Sequence, residues 1–296
     1  MPRWVLFLSL LTGATILSAA AVSKEPMPME VPLRKQVKEE IEGKVRWVVM
    51  EENVHWIPRE TAIIVCDMWD QHWCPNAAQR VEELAKPMNS VLKEARALGM
   101  FIIHAPSTAT KFYDGTPQRE RAKAAPYVKT PVPLATDQRW GTAWCYPDKQ
   151  REAELPIDDS DMGCDCEEKY EPHAPWTRQI ATLEIAEQDA ITDDGQETWN
   201  LLEERGIKNV ILLGVHLNMC VMGRPFGIRQ MTYLGKNVVL MRDMTDTMYN
   251  PAKAPFVNHY KGTELIIEHI EKFVCPTITS DQIIGGKAFR FKADPN

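Results

Sequence analysis

Asn209-Val-Ile-Leu-Leu-Gly-Val215 runs directly into His216-Leu-Asn-Met-Cys220-Val221. The first part is a short, unbroken apolar run. A strand with one wet face would alternate, so this one reads as buried on both faces, as strands of a parallel sheet are. Ala62–Cys66, Met100–His104 and Asn237–Met241 have the same character. Helical patterns lie between them. Val81, Leu84, Met88, Val91, Leu92, Ala95 and Leu98 fall at spacings of three and four, with a kink expected at Pro87 and a stop at Gly99. Further helices are expected over Gly195–Arg205, Cys220–Leu234 and Glu264–Phe273, and a last short strand over Thr277–Thr279. Strand and helix thus alternate. The fold class is α/β: a Rossmann-like three-layer α/β/α arrangement with a mostly parallel sheet and right-handed crossovers. Functional sites in such sheets lie outside the strand C-termini.

Around this frame the chain divides as follows. Residues 1–23 carry one charge, Arg3, an apolar stretch and the small residues Ala19, Ala20 and Ala21, the pattern of a cleaved signal peptide, with an uncleaved membrane anchor as the alternative. Residues 24–60 form a polar N-terminal extension in which Lys44–Met50 suits one strand. The domain proper spans 61–276. It is interrupted at about 105–182 by a Pro-, Asp- and Cys-rich insertion of poor periodicity, expected to lie over one end of the sheet. Residues 277–296 are a C-terminal strand and tail. The signal pattern predicts an exported protein, periplasmic or secreted, with no stable membrane span after cleavage.

The formal net charge is −7, and removing residues 1–23 makes it −8. An acidic balance without a Lys/Arg-rich run argues against nucleic acid as a partner. No glycine-rich phosphate loop follows a strand. A small-molecule substrate is the expected partner, and a homo-oligomer is compatible with the sequence.

Chemistry concentrates at two strand ends, Cys66-Asp67-Met-Trp69-Asp70-Gln-His72-Trp73-Cys74 and Gly214-Val-His216-Leu-Asn-Met-Cys220. A Cys where a helix begins meets free backbone N–H groups that favour a thiolate and can hold an oxyanion. An Asp on a neighbouring strand end can take its proton. The other reading is a buried, inert Cys and a helix-capping Asp. Export makes paired cysteines the expectation, so a disulfide from Cys145 to Cys164 or Cys166 is predicted, with a zinc set of Cys145, Cys164, Cys166 and His173 as the alternative.

These two motifs resemble the isochorismatase-like cysteine hydrolase superfamily, which includes nicotinamidases and N-carbamoyl amidohydrolases. Thr61-Ala-Ile-Ile-Val-Cys-Asp67 is similar to its first strand with the catalytic Asp, and Gly214–Val221 to its nucleophile turn. The resemblance covers about residues 60–110 and 183–275. It implies a hydrolase of a small amide or carbamoyl compound, with Cys220 as nucleophile, Asp67 as acid/base and a cis peptide at Val215–His216 that helps form the oxyanion hole. It also implies a Lys where this chain reads Ala186-Glu187-Gln-Asp189, so Glu187 takes that place with the opposite charge. The substitute cations are then Arg224, His104 and His216, with His216 preferred because it can move a proton near neutral pH. Trp69, His104 and Arg224 are the candidate substrate contacts. No resident cofactor is expected; Asp70, His72 and His104 are the residues a metal would use. A catalytically inactive scaffold and an ether-hydrolysing enzyme that does not need the Cys are the competing readings.

Overall fold

A computed structural model describes Met1 and residues 27–295. The predicted signal segment therefore lies outside the described residues apart from Met1. In chain order the elements are β1 (Met29–Ile41), β2 (Lys44–Trp56), β3 (Thr61–Cys66), α1 (Pro75–Leu98), β4 (Phe101–Ala105), α2 (Pro117–Ala124), β5 (Gln138–Arg139), β6 (Thr142–Ala143), β7 (Ala190–Ile191), α3 (Gly195–Glu204), β8 (Asn209–Val215), α4 (Ile228–Tyr233), β9 (Asn237–Asp246), α5 (His259–Phe273), β10 (Thr277–Ile278) and α6 (Asp281–Ile284).

Eight strands form one sheet in the order β2-β1-β10-β9-β8-β3-β4-β7. The six from β10 to β7 are parallel, and β1 joins β10 antiparallel through Arg34 and Thr277. From β3 the chain moves outward to β4 and β7, then returns to place β8 on the other side of β3. The order reverses between β3 and β8, where the carboxyl ends of doubly wound strands leave a crevice. Asp67 follows β3 and Cys220 follows β8, so topology alone brings them to one place.

The apolar runs fill two layers. Ala62, Ile64 and Cys66 of β3, with Val210 and Leu212 of β8, pack with α3 and α5 residues Leu201, Leu202, Ile266 and Ile270. Ile63 and Val65, with Ile211, Leu213 and Val215, pack against Val81, Leu84, Met88, Val91, Leu92 and Ala95 of α1. Period two on the strands meets period 3.6 on the helices. Each fully buried Ile, Leu or Val contributes about 1.5–3 kcal/mol to this association. α1 passes through Pro87 and stops at Gly99, whose left-handed φ of 94° lets its N–H reach back to Ala95 and Arg96 carbonyls.

Three expectations are corrected. The extension 24–60 holds two long strands, not one: β1 and β2 pair along their whole length from Met29↔Trp56 to Ile41↔Lys44. Their two-residue turn, Glu42-Gly43, has φ of 53° and 73°, the primed hairpin turn that matches strand twist. Charged side chains on exposed positions hid the strand character of β1. The helix expected over Cys220–Leu234 is broken: a π-helical turn covers Leu217–Val221, and regular helix resumes only at Ile228. Pro225 cannot donate to a continuing ladder. Gly223 leaves room for Trp144, whose ring would lie 2.3 Å from any Cβ there. Finally, all seven cysteines are free. Cys145 is buried with its N–H on the Gly223 carbonyl, whereas Cys164 and Cys166 turn to Cys74, so the predicted Cys145 disulfide does not form.

Candidate active site

Asp67 is the first residue after β3, fully buried and in the left-handed region at φ 47°. Its backbone N–H donates to the Ala105 carbonyl at 3.1 Å, which turns the side chain toward the β3/β8 crevice. One carboxylate oxygen accepts the Ser107 N–H at 2.6 Å, and the other accepts Nε–H of Arg224 at 3.3 Å. On the other side of the crevice, β8 shifts register between Leu212 and Gly214. Gly214 has φ 103°, and a Cβ there would sit 2.1 Å from the Cys66 carbonyl oxygen. Only glycine allows the two strand ends to approach this closely. The Val215–His216 peptide that follows is cis, and the turn Leu217–Val221 presents Cys220.

Cys220 is close enough to Asp67 and Arg224 for the carboxylate to raise its pKa and the guanidinium to lower it. Asp67 and Arg224 are thus bonded to one another beside Cys220, which is only 4 % exposed. Burial pushes the Cys220 thiol up to about 12, Arg224 opposing and Asp67 adding to the rise. Burial also raises Asp67 above the ordinary carboxyl range, against the pull of Arg224 and the Ser107 hydrogen bond. The resting thiol is therefore neutral. The broken helix explains part of this, because no long aligned dipole stands behind the sulfur. The Met219 and Val221 N–H groups are both spent on the His216 carbonyl, at 3.0 and 3.2 Å.

Arg224 is fixed from the far side. Its Nη1 donates to the carbonyls of Arg139 and Trp140, at 3.4 and 3.2 Å, and to the Thr142 hydroxyl. The β5–β6 hairpin thus holds the cation that neutralises Asp67. Arg224 lines the cavity, with its Nε and Nη1 held by Asp67 and the hairpin. The preference for His216 as substitute cation is overturned. Its ring is 2 % exposed, burial and the nearby His72 hold its pKa well below the ordinary value, and its Nε2 has no hydrogen-bond partner. Glu187 is also misassigned: it is exposed, and its carbonyl accepts from Arg121 away from the crevice. The buried acid of that segment is Asp189, which accepts Arg96 at 2.7 Å and His104 at 3.1 Å.

His104 is consequently a bridge between Asp189 and Gln179, not a substrate contact. Asp70 accepts from the Thr177 hydroxyl and N–H at 2.7 and 2.9 Å. His72 accepts the Cys74 N–H at 3.1 Å, and burial lowers its pKa to about 4. These three side chains do not converge, so the Asp70–His72–His104 metal set is not assembled. Among the described residues the group with metal-ligating spacing is Cys74, Cys164 and Cys166.

Above the Asp67–Arg224–Cys220 set opens a cavity of about 410 Å³ lined by Trp69, Trp73, Trp140, Trp176, His216 and Met219, among others. Trp69 stacks on Trp176 at 3.9 Å with an interplanar angle of 6°. Their indole N–H groups donate to the Ser107 carbonyl and the Thr108 hydroxyl, at 3.2 and 2.8 Å. Trp69 thus stands at the cavity wall. Trp140 and Trp176, from the irregular segment between β4 and β7, had no periodic signal to reveal them. Arg224 was visible one turn after Cys220, but its pairing with Asp67 was not.

No family model matches the chain, and no curated protein does. Solved structures with a similar chain arrangement include a cysteine hydrolase from Pseudomonas syringae pv. phaseolicola 1448A, 17 % identical, covering 78 % of this chain and 94 % of that one at a TM-score of 0.48. An isochorismatase from Pseudomonas putida KT2440 is 12 % identical, covering 76 % of this chain and 91 % of its own, with a TM-score of 0.43. N-carbamoylsarcosine amidase from Thermoplasma acidophilum is 11 % identical, covering 64 % and 86 %, with a TM-score of 0.35. The likeness is one of chain arrangement, and the chemistry of this chain rests on its own side chains.

Proposed function

We propose that this protein is a cysteine hydrolase that cleaves a small amide or carbamoyl compound. The observation that carries the reading is the grouping of the Asp67–Arg224 ion pair with Cys220 at the sheet's reversal point, beneath an apolar cavity. A buried acid–base pair touching a nucleophile, with a cation compensating the acid, is the arrangement that nucleophilic acyl transfer needs.

The steps follow from the protonation states. Arg224 and the Ser107 N–H favour the ionised form of Asp67 against the burial that raises its pKa, and in this reading the Cys220 thiol is its proton donor. As the sulfur attacks the carbonyl carbon, the S–H bond breaks, the S–C bond forms and the proton passes to Asp67. Arg224 remains beside both groups, so negative charge moves between two acceptors that share one cation. Collapse breaks the C–N bond, and the departing nitrogen takes the proton from Asp67. Water then attacks the thioester, again giving its proton to Asp67, and the thiol is restored. The four Trp rings exclude water and favour a flat or apolar substrate body of modest size.

The test is ammonia or amine release from a panel of small amides and N-carbamoyl compounds. Cys220→Ala and Asp67→Asn should each abolish it in folded protein, and mass spectrometry should catch an acyl adduct on Cys220. Turnover that survives Cys220→Ala would remove the sulfur from the chemistry and favour a hydrolase that does not use it.

A further inference from the structure

Cys74 stands at the N-cap of α1, immediately before Pro75, fully buried. Along the sequence Cys164 and Cys166 are nearest to Cys145, but the fold brings them to Cys74. The Cys74 and Cys164 sulfurs are 2.6 Å apart, Cys74 and Cys166 3.7 Å, and all three lie within 4.8 Å of one another. We propose that Cys74, Cys164 and Cys166 bind one thiophilic metal ion of the zinc class, fastening the turn at residues 163–166 to the start of α1.

Three observations support a built site. The first is the number of sulfurs. A disulfide uses two, whereas here a third sulfur converges: Cys166 lies 3.7 Å from Cys74, the edge of a sulfur tetrahedron around zinc (~3.8 Å when each Zn–S bond is ~2.3 Å), and the closer Cys74–Cys164 pair would open to that spacing around an ion. The second is the anchoring of the intervening residue. Asp165 sits between the two loop cysteines and receives Nη1 and Nη2 of Arg80 at 2.8 and 3.2 Å. Arg80 lies on the same helix that Cys74 begins, and its Nε is held by the buried Asp246 at 2.7 Å. Asn76 adds a hydrogen bond to the Asp165 carbonyl at 3.1 Å. The loop cysteines are thus delivered to Cys74 by partners that are not ligands, the outer support that metal sites need. The third is the backbone. Met162 and Gly163 are both left-handed, at φ 65° and 70°, and a Cβ on Gly163 would lie 2.3 Å from the Met248 carbonyl. The turn is held tightly enough to present its two sulfurs together.

Binding breaks three S–H bonds, forms three S–metal bonds and releases three protons to solvent. Cys164 and Cys166 are half-buried, so water can complete the coordination. The expected consequence is mechanical. Trp73 and Met162, neighbours of the cluster in sequence, line the cavity, so the ion would brace that wall without entering the chemistry at Cys220.

The experiment uses the full chain carrying Cys220→Ala, reduced, treated with chelator and titrated with Zn²⁺, with Co²⁺ as the spectroscopic probe. One equivalent of Zn²⁺ and a thiolate-to-cobalt charge-transfer band are expected. Both should be lost in the Cys164→Ser/Cys166→Ser variant and kept in Cys145→Ser. In the chain without ligand substitutions, Zn²⁺ should protect Cys164 and Cys166 from alkylation at least tenfold, read by peptide mapping, so the test stands even if a variant fails to fold. Failure to bind one equivalent, a cobalt band that survives the double substitution, or a Cys74–Cys164 disulfide in the natively isolated chain would each overturn the proposal.

Discussion

Replacing Arg224 by Met separates the electrostatics of the candidate site from its packing. Arg224 is 1 % exposed, and its Nε holds Asp67 while its Nη1 holds three acceptors of the β5–β6 hairpin. Removing one member of a buried ion pair costs about 3–5 kcal/mol, because the other charge stays buried. The Asp67 carboxyl is already raised by burial, and losing Arg224 raises it further, leaving the Ser107 N–H hydrogen bond as its support. The direction with pH follows. A carboxyl whose folded pKa lies above its unfolded value of ~3.9 loses folding stability as pH rises through the folded pKa, by ~1.4 kcal/mol per unit of pKa difference. The loss is therefore larger in the variant, and the gap to the native chain widens as pH rises above the unfolded value, so it is compared at about pH 5 and about pH 8. The three stranded hairpin acceptors add a part that does not depend on pH, about 1 kcal/mol each. Urea denaturation at both pH values measures the two parts. Arg224→Lys should recover the pH-dependent part only, because an ammonium restores the charge but not the planar fork. An Arg224→Met chain with the same loss at both pH values would refute the account of Asp67 as a buried anion held by Arg224.

Iodoacetamide labelling of Cys220 should speed up about tenfold per pH unit from about pH 7 to pH 10, as a thiol pushed up to about 12 requires; a plateau near neutrality would contradict the neutral resting thiol. Glu187→Lys should leave that profile unchanged, since the side chain is exposed and outside the crevice; a shift of one unit would return Glu187 to the site. Gly223→Ala should lower stability by about 1–3 kcal/mol, because the new methyl meets the Trp144 ring at 2.3 Å; an unchanged urea midpoint would show that the ring moves freely. Asp246, paired with Arg80 and His259, has its carboxyl held far below the ordinary range, so its contribution is full above the unfolded value of ~3.9 and fades as pH falls. Asp246→Asn should therefore cost about 3–5 kcal/mol near neutrality and progressively less in acid; an equal cost at both ends would deny that its charge matters.

The parallel sheet was legible in the sequence because β3, β4, β8 and β9 are buried on both faces, and that condition demands unbroken apolar runs. The placement of Asp67 and Cys220 at neighbouring strand ends was legible because a strand end followed by a polar or sulfur-bearing residue is a local pattern. What is decided across the sheet left no such mark. Arg224 reads as one more charge on a helix until the hairpin at 138–143 closes over it and turns its Nε to Asp67. Counting along the sequence points to Glu187 and intrinsic pKa points to His216, and burial reverses both: one side chain faces water, and the other is too deeply buried to carry charge. The cysteine grouping failed for the same reason. Cys164 and Cys166 are near Cys145 along the chain, but Arg80 and Asp165 pull their turn to the beginning of α1, where Cys74 waits. Periodicity records which faces are buried. Which distant partner fills each buried position depends on ion pairs and close contacts between segments far apart in sequence, and these exist only once the chain has folded.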